Sequence, residues 1–333
     1  MSSQTFRPSA QEPLLILAMD HRASFGKSLF GVRDDQPDAG QVAAMQAAKR
    51  LIYSGLARTR AQLPGGRAGV LVDERYGQQV IEAAHSDGVV LAIPVEHSGR
   101  DWFELEWGGD WLEHVRSNRP DFAKVLVRDN PAFPAAQRTQ QLRALRQVSD
   151  ALGKLGVPLL YELLVPATDE QRAAASKAAA GGAAAGAAGG EAAAGGTAAD
   201  GAADAYDRDL RPDLVIQVIA DNQAAGVEPA IWKVEGLETT EAARAVVAQM
   251  RAGGRGDVRA IVLGRDAPAA RLDHWLTVAA PIDGFVGFAI GRSIWEDPIA
   301  EHNRGTADED ETVGQIAARY LEFARQYWAA SSA

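Results

Sequence analysis

Short runs of consecutive apolar residues recur along the chain and alternate with longer segments in which apolar residues are spaced three or four positions apart. The apolar runs are Leu14–Met19, Gly69–Val72, Val89–Val95, Phe122–Val127, Pro158–Leu164, Ala230–Val234, Ala260–Leu263 and Gly284–Ile290. Continuous apolar strands of this kind are typical of a parallel sheet that is covered by helices. The helical spacing is clearest in Gly40–Ser54, Pro134–Leu155, Thr239–Met250 and Val313–Trp328.

This alternation of eight strands with helices predicts an α/β fold, a closed (β/α)8 TIM barrel formed by a single domain over residues 1–333. An open, doubly wound sheet is the alternative. It is less favoured because no Gly-x-Gly-x-x-Gly motif follows the first strand.

One segment, residues 173–205, interrupts the alternation because it consists almost entirely of Ala and Gly. Alanine favours helix, but each glycine costs about 1 kcal/mol relative to Ala in a helix. The segment has no large side chain to bury, so we expect a flexible insertion after the fifth strand, without catalytic residues. A functional lid is the alternative.

Composition and charge narrow the classes of function. The formal charge of -10 and the absence of basic runs argue against nucleic acid or an anionic membrane as partner. A chain without cysteine has no disulfide, no thiolate nucleophile and no cysteine-ligated metal. The polar N-terminus and the lack of a long apolar run predict a cytoplasmic protein. A small anionic substrate and a homo-oligomer remain open.

A lysine stands inside the sixth apolar run, in Ala230-Ile231-Trp232-Lys233-Val234-Glu235-Gly236. Burying an ammonium group is costly, and burial beside other cations lowers a lysine pKa, which leaves an amine able to attack a carbonyl. The simpler interpretation is an ion pair between Lys233 and Glu235, which lie on the same face of the strand.

Polar residues also follow or interrupt the other runs, and in a TIM barrel the C-terminal ends of the strands form the active site. The candidates from the first six strands are Asp20, His21, Arg22, Asp73, Glu96, His97, Lys124, Arg128, Glu162, Lys233 and Glu235. Each one could be a structural ion pair. Convergence of six strands favours a pocket.

The last two strands end in Gly264-Arg265-Asp266 and Gly291-Arg292-Ser293. Glycine lets backbone N–H groups approach an anion, and arginine adds charge-assisted hydrogen bonds. Because the loops after strands seven and eight often bind phosphate in such barrels, we expect a phosphate site there. The alternative is that the glycines are turn residues and the arginines are solvated.

The remaining candidates are histidines and tryptophans. His21 and His97 are expected to hydrogen-bond substrate hydroxyls, since no HExxH or HxH metal motif is present and no metal site is expected. Trp102, Trp107 and Trp111 are expected to form a packed loop or a subunit contact.

Taken together, several runs resemble class I barrel aldolases: Leu15–Arg22, Asp121–Val125, Tyr161-Glu162, Trp232–Glu235 and Gly287–Trp295. The chain is similar to the tagatose-bisphosphate aldolase group and, more closely, to the DUF2090-like domain fused behind 5-dehydro-2-deoxygluconokinase in some bacterial inositol-degradation proteins. The resemblance implies that Lys233 is the Schiff-base lysine, with Lys124 and Glu162 as its active-site companions. It places Asp20 and Arg22 at the substrate, places Arg265 and Arg292 near a phosphate, and implies no cofactor.

The resemblance has two departures. Tagatose-bisphosphate aldolases carry Asp-Gln-Arg where this chain has Asp20-His21-Arg22, and the kinase half of the fused proteins is absent. The expected function is cleavage of a phosphorylated keto sugar acid, 6-phospho-5-dehydro-2-deoxy-D-gluconate, to dihydroxyacetone phosphate and malonate semialdehyde. Alternatives are an aldolase for a ketose bisphosphate or a sulfonated ketose phosphate, and a non-catalytic barrel that binds a sugar phosphate.

Overall fold

The computed structural model describes residues 6–34, 36–186, 198–265 and 267–332, and it shows a closed barrel of eight parallel strands. The strands are β1 Leu14–Ala18, β2 Arg67–Leu71, β3 Val90–Pro94, β4 Phe122–Arg128, β5 Leu159–Leu164, β6 Ile231–Glu235, β7 Arg259–Leu263 and β8 Phe285–Ile290. Each strand pairs with the next in sequence, and β8 closes the barrel on β1. The prediction of a (β/α)8 TIM barrel is confirmed.

Helices cover the outside of the barrel. They are α1 Ala23–Phe30, α2 Ala39–Thr59, α3 Glu74–Asp87, α4 Trp111–Asn118, α5 Ala135–Leu155, α6 Asp169–Gly186, α7 Ala198–Ala205, α8 Arg211–Ala225, α9 Thr240–Met250, α10 Ala269–Ala279, α11 Arg292–Asn303 and α12 Glu309–Ser331. Short 3-10 helices occupy Arg60–Gln62 and Gly108–Asp110, and a π-helical turn occupies Tyr206–Leu210. The four predicted helices correspond to α2, α5, α9 and α12.

Helix ends follow the local sequence. The Asp38 carboxylate accepts a hydrogen bond from the Gln41 backbone N–H at 2.8 Å and so caps the N-terminus of α2. Asp308 caps α12 in the same way. The helix α5 ends at Gly156, whose φ of 74° lies in the left-handed region that glycine adopts without steric cost.

The alternation of side chains along the strands creates two apolar layers. One set of strand residues faces outward and packs against the helices. The other set fills the barrel interior and comprises Leu14, Ile16, Ala18, Leu71, Val90, Ala92, Phe122, Leu160, Ile231, Ile261, Val286 and Ala289. Because successive side chains in a strand point to opposite faces, a residue two positions after an interior residue also faces inward.

This parity positions the candidate site. Asp20 comes two residues after Ala18, Lys124 two after Phe122, Glu162 two after Leu160 and Lys233 two after Ile231. We therefore find these four side chains directly above the apolar interior, at the C-terminal end of the barrel.

The two ends of the Ala/Gly stretch are helical, within α6 and α7. Ala175, Ala205 and Tyr206 form a small buried cluster, and the Tyr206 hydroxyl donates a hydrogen bond to the Val165 carbonyl at 2.7 Å. The ends are thus anchored beside the exit of β5. Residues 187–197 lie outside the described residues, as does Asp266, and the flexibility of the insertion stays a prediction.

Across the ranges that the structure describes, no helix combines the length and the apolarity that crossing a membrane requires.

Candidate active site

A cavity of about 370 Å³ opens at the C-terminal end of the barrel. Nearly all of the predicted site residues line it, namely Asp20, Arg22, Glu96, Lys124, Glu162, Lys233, Gly264, Arg265, Gly291 and Arg292. Glu235 does not line it. The structure thus brings residues from seven different strands or strand ends into one pocket, in the part of a TIM barrel where active sites lie.

The Lys124 ammonium is the centre of the polar cluster and is almost fully buried, with 1% of the side chain exposed. Its Nζ lies 2.8 Å from Asp20 Oδ2, 2.8 Å from Glu96 Oε1 and 2.8 Å from Glu162 Oε2. An ammonium group has three donors, and three carboxylates satisfy them. Burial alone would lower the pKa of Lys124, but the three carboxylates outweigh burial and raise it above its ordinary value. Lys124 therefore carries a positive charge.

Glu162 joins the two lysines. Its Oε1 lies 2.7 Å from Lys233 Nζ, and its other oxygen contacts Lys124. The simpler interpretation of the sequence, an ion pair between Lys233 and Glu235, is therefore wrong. The neighbouring strand supplies the partner because β5 and β6 are aligned with Glu162 beside Lys233.

The three carboxylates differ in their affinity for protons. Burial would raise the pKa of Asp20 and of Glu162, but Lys124 and then Lys233 lower both below their ordinary values. The pKa of Glu96 is instead raised, because burial outweighs the attraction of Lys124 and Arg22. Glu96 is thus the carboxyl group of the cluster that most readily holds a proton.

Arg22 is fixed by acidic partners and is 6% exposed. Its Nη1 lies 3.2 Å from Glu106 Oε2, and its Nη2 donates to the Glu96 backbone carbonyl at 2.8 Å. Glu106 also contacts Arg75, at 3.1 Å. Arg22 therefore holds the loop after β3 against the loop after β1. This structural role is in addition to any contact that Arg22 makes with substrate.

Glu235 and Arg265 belong to a second charged cluster next to the cavity, in which Glu235 is buried and Arg265 is partly exposed. Arg265 Nε lies 2.9 Å from Glu235 Oε1, and its Nη1 lies 2.9 Å from Asp207 Oδ1. Asp207 also contacts Arg211 at 2.9 Å and Arg271 at 3.1 Å. Two carboxylates thus share the guanidinium of Arg265, and only its Nη2 makes none of these contacts. Glu235 orients Arg265 and does not reach the cavity itself.

The backbone of Arg265 is in the left-handed region, with a φ of 46°. For a residue with a side chain this conformation costs about 1–2 kcal/mol, and such strain concentrates at functional sites. The two carboxylates that hold its side chain stabilise the strained conformation.

The two glycines of the Gly-Arg pairs differ in how strictly the packing around them requires glycine. A Cβ on Gly291 would lie 2.6 Å from the Ala18 carbonyl oxygen, so close packing of β1 against β8 requires glycine there. A Cβ on Gly264 would meet only ordinary contacts, from 3.5 Å outward.

Gly291 precedes the N-terminus of α11, whose first residues Arg292 and Ser293 line the cavity. Helix N-termini present backbone donors and a positive partial charge to anions.

Both predicted histidines line the cavity. His21 packs edge-on against Trp295, with ring centroids 5.4 Å apart, and burial lowers its pKa to about 4 despite the nearby Asp20. His21 is therefore neutral near pH 7. The His97 ring contacts the Ser98 carbonyl at 2.8 Å. Hydrogen bonds from these rings to substrate remain a prediction.

Of the three tryptophans, Trp102 lines the cavity together with Phe103. Trp107 stacks on His114 with centroids 4.2 Å apart, and Trp111 is buried. The expectation of a packed loop therefore holds for Trp107 and Trp111, whereas Trp102 is placed to contact a ligand.

Asp73 does not belong to the cavity. Its carboxylate caps α3 and forms an ion pair with the fully buried Lys49, which also donates to the Met19 carbonyl at 2.7 Å. Lys49 was not among the residues predicted from the sequence. The sequence feature that could have identified it is its position on the apolar stripe of α2, four residues after Met45 and three before Ile52, which places a lysine among buried residues. Lys49 fixes the backbone just before Asp20.

Glu106, Asp207 and Arg211 were also missed. Glu106 lies in a loop, Asp207 in the π-helical turn and Arg211 at the first position of α8. Their contacts with Arg22, Arg265 and the Gly236 carbonyl join residues far apart in sequence, so no periodic pattern marks them. The described residues contain no group of three His, Asp or Glu side chains placed to hold a metal ion.

Comparison with solved structures supports the architecture. The chain is similar to the crystal structure of Cgl0159 from Corynebacterium glutamicum, with 17% sequence identity, a TM-score of 0.54, and coverage of 95% of this chain and 85% of that chain. At this identity the likeness concerns the fold alone. No curated protein sequence matches the chain. Neither finding names an aldolase, so the resemblance to the two aldolase groups stays a prediction.

One family profile matches the chain over residues 1–180 and 203–332. The gap between the two matched parts, residues 181–202, falls within the Ala/Gly stretch, in agreement with the prediction that this stretch is an insertion. Because the match covers most of the sequence, the chain belongs to DUF2090, a family described as an uncharacterised protein conserved in bacteria.

Proposed function

We propose that this protein is a lyase, a class I aldolase that cleaves a phosphorylated keto sugar acid through a Schiff base on Lys233. The observation that carries the proposal is the Lys233–Glu162–Lys124 chain in the cavity, with distances of 2.7 and 2.8 Å. A structural ion pair needs one cation and one anion. Here a second amine, that of Lys233, also reaches the cavity, with 5% of its side chain exposed. It shares Glu162 with Lys124, whose charge is already neutralised by Asp20 and Glu96.

The first step is the attack of the Lys233 amine on the substrate ketone. The new C–N bond forms as the carbonyl π electrons move to oxygen, which takes up a proton from solvent and becomes a hydroxyl, and the nitrogen then loses a proton. Glu162 is the carboxylate within reach of that nitrogen, so it takes the proton and returns it to the hydroxyl that leaves as water. The product of this step is a protonated imine, which withdraws electrons from the neighbouring carbon.

The second step breaks the bond between the carbon next to the imine and the carbon bearing the β-hydroxyl group. The electrons of that bond enter the imine and form an enamine, while the hydroxyl group loses its proton and becomes an aldehyde. Glu96 is suited to accept this proton, because its pKa is raised whereas those of Asp20 and Glu162 are lowered, which makes it the strongest base of the three carboxylates. Protonation of the enamine and addition of water to the imine then release the ketone product and the free amine.

Lys124 acts by its charge in this scheme. Held protonated by three carboxylates, it lowers the pKa of Glu162 and keeps this carboxylate ionised and able to accept a proton. It also fixes Asp20, Glu96 and Glu162 in one orientation, which avoids reorganisation during the reaction.

The proposed substrate is 6-phospho-5-dehydro-2-deoxy-D-gluconate, with dihydroxyacetone phosphate and malonate semialdehyde as products. This choice follows from the resemblance in sequence, and the cationic wall formed by Arg265 and Arg292 is compatible with a phosphate. The phosphate is assigned to the N-terminal end of α11, where Arg292 and Ser293 line the cavity.

Borohydride trapping tests the proposal. Incubation with dihydroxyacetone phosphate and borohydride should reduce the imine and add the triose to Lys233 alone, as shown by peptide mass mapping. Lys233→Arg should lose both the adduct and turnover, because arginine stays protonated. Lys154→Arg, which changes an exposed lysine of α5, is the matched control and should keep both.

The outcomes separate the alternatives. An adduct on Lys124 with none on Lys233 would contradict the assignment of roles. Cleavage without any adduct that is abolished by EDTA would contradict the Schiff-base class. Tight binding of sugar phosphates with neither adduct nor cleavage would indicate a non-catalytic barrel.

A further inference from the structure

The cavity wall contains several arginines, and carboxylates neutralise most of them. Arg22 is held by Glu106 and the Glu96 carbonyl, and Arg265 is shared by two carboxylates. At the rim, Arg100 Nε lies 3.2 Å from Glu104 Oε2. In these three arginines carboxylates offset part of the positive charge that a ligand would meet.

Arg128 differs from them. Its side chain lines the cavity, and its Nη1 donates to the Arg100 backbone carbonyl at 3.1 Å. In the part of the chain that the structure describes, no carboxylate lies within ion-pair distance of Arg128. The carbonyl fixes the orientation of the guanidinium without neutralising it, which leaves most of its donors for an anion.

The position of Arg128 along β4 places it above the reactive groups. Lys124, Leu126 and Arg128 alternate along one face of the strand and all line the cavity. A rise of about 3.3 Å per residue puts the Cα atom of Arg128 about 13 Å beyond that of Lys124. Leu126 and, on β5, Leu164 form an apolar wall between the lysine cluster and Arg128.

The order of strands around the barrel indicates the direction in which a bound substrate extends from Lys233. In a closed barrel of eight strands, β4 is opposite β8, and β6 lies midway between them. A substrate whose carbonyl meets Lys233 on β6 and whose phosphate lies at the end of β8 therefore extends its other end toward β4. That end meets Arg128.

We propose that Arg128 binds the carboxylate at the end of the substrate remote from the phosphate, and so selects keto sugar acids over keto sugars with a neutral end. The proposal deepens the proposed function and rests on it for the identity of the substrate. In 6-phospho-5-dehydro-2-deoxy-D-gluconate the ketone is next to the carbon that bears the phosphate, and the carboxylate is at the opposite end of the six-carbon chain. Planar guanidinium and carboxylate groups form paired, charge-assisted hydrogen bonds.

Binding of two compounds without a ketone tests Arg128 separately from the Schiff-base chemistry. The probes are 6-phosphogluconate, which has a carboxylate at the end remote from its phosphate, and glucitol 6-phosphate, which has a neutral alcohol there. Calorimetry should show that 6-phosphogluconate binds the wild-type protein about 10- to 100-fold more tightly, the range expected for a hydrogen-bonded charged pair. Arg128→Met should remove this preference and leave the affinity for glucitol 6-phosphate nearly unchanged.

Two further variants sharpen the result. Arg128→Lys should restore part of the preference, since lysine keeps the charge but not the paired geometry. Arg143→Met removes the same charge from an exposed position on α5 and should keep the full preference.

Equal affinity of the wild-type protein for the two probes, or no measurable binding of either, would overturn the assignment of Arg128. So would a preference that survives Arg128→Met. Failure of borohydride trapping together with an Arg128-dependent preference would instead refute the aldolase and leave the carboxylate site standing.

Discussion

Removing the central ammonium group by Lys124→Met tests the electrostatic account of the cluster. Methionine has a similar length and no charge, so the change leaves Asp20, Glu96 and Glu162 buried together without the cation that contacts all three. We expect the variant to fold, to be less stable at neutral pH, and to cleave substrate at least 100-fold more slowly. The activity falls because Glu162 and Glu96 then hold protons that the reaction requires them to exchange.

The size of the stability loss follows from burial. Breaking a buried ion pair by removing one partner costs about 3–5 kcal/mol. For a chain of 333 residues the entropy of unfolding near the melting temperature is about 0.7 kcal/mol/K. The melting temperature at neutral pH should therefore fall by about 4–7 °C.

The loss should depend on pH in a definite direction. In the wild-type protein the pKa values of Asp20 and Glu162 are lowered, so their contribution to stability is present above the ordinary carboxyl range and is lost as pH falls through the lowered values. Without Lys124, burial raises these pKa values, and the carboxyl groups contribute stability only when the pH is low enough to protonate them. The difference in melting temperature between the two proteins should shrink as the pH falls toward the ordinary carboxyl values.

Thermal unfolding followed by circular dichroism at about pH 7.5, 6 and 5 measures this difference. Lys154→Met, which removes the charge of an exposed lysine, is the matched control and should shift the melting temperature by less than about 1 °C. A difference that stays the same at every pH, or one that grows as the pH falls, would refute the account in which Lys124 holds the carboxylates ionised.

Three further predictions concern groups around the lysines. Glu162→Gln should lower kcat by about 10²- to 10⁴-fold while borohydride still traps substrate on the neighbouring amine, and loss of trapping instead would make the carboxylate structural. Asp207→Asn should raise KM more than it lowers kcat, because Arg265 loses one of its two anchors; a fall in melting temperature with unchanged KM would contradict this. Because burial lowers the pKa of His21 to about 4, its contribution to stability is present above the ordinary pKa of 6.5 and is lost progressively as pH falls toward 4. His21→Asn should therefore flatten the dependence of melting temperature on pH between those values, and an unchanged slope would show that other groups cause it.

The sequence by itself determined the barrel fold and the position of the site residues along the barrel axis, just above the apolar interior. Period-2 alternation decides which strand residues face the interior, so the positions of Lys124, Glu162 and Lys233 above Phe122, Leu160 and Ile231 follow from counting along each strand. Helix starts and stops followed equally from local chemistry, as at Asp38 and Gly156. These features depend on residues a few positions apart, whose geometry is fixed by the backbone.

Only the tertiary structure decided which charges pair. Glu235 is two residues from Lys233 and faces the same way, yet Lys233 pairs with Glu162, because the register of neighbouring strands brings that carboxylate to 2.7 Å. The partners of Arg265 come from another strand and from the π-helical turn that follows the Ala/Gly stretch, at separations that no local pattern encodes. Long side chains reach several ångströms from the backbone, so their pairing depends on the full set of charges within reach. Whether a carboxylate lies beside Arg128 is therefore decided by the tertiary structure, in which its guanidinium contacts the Arg100 carbonyl.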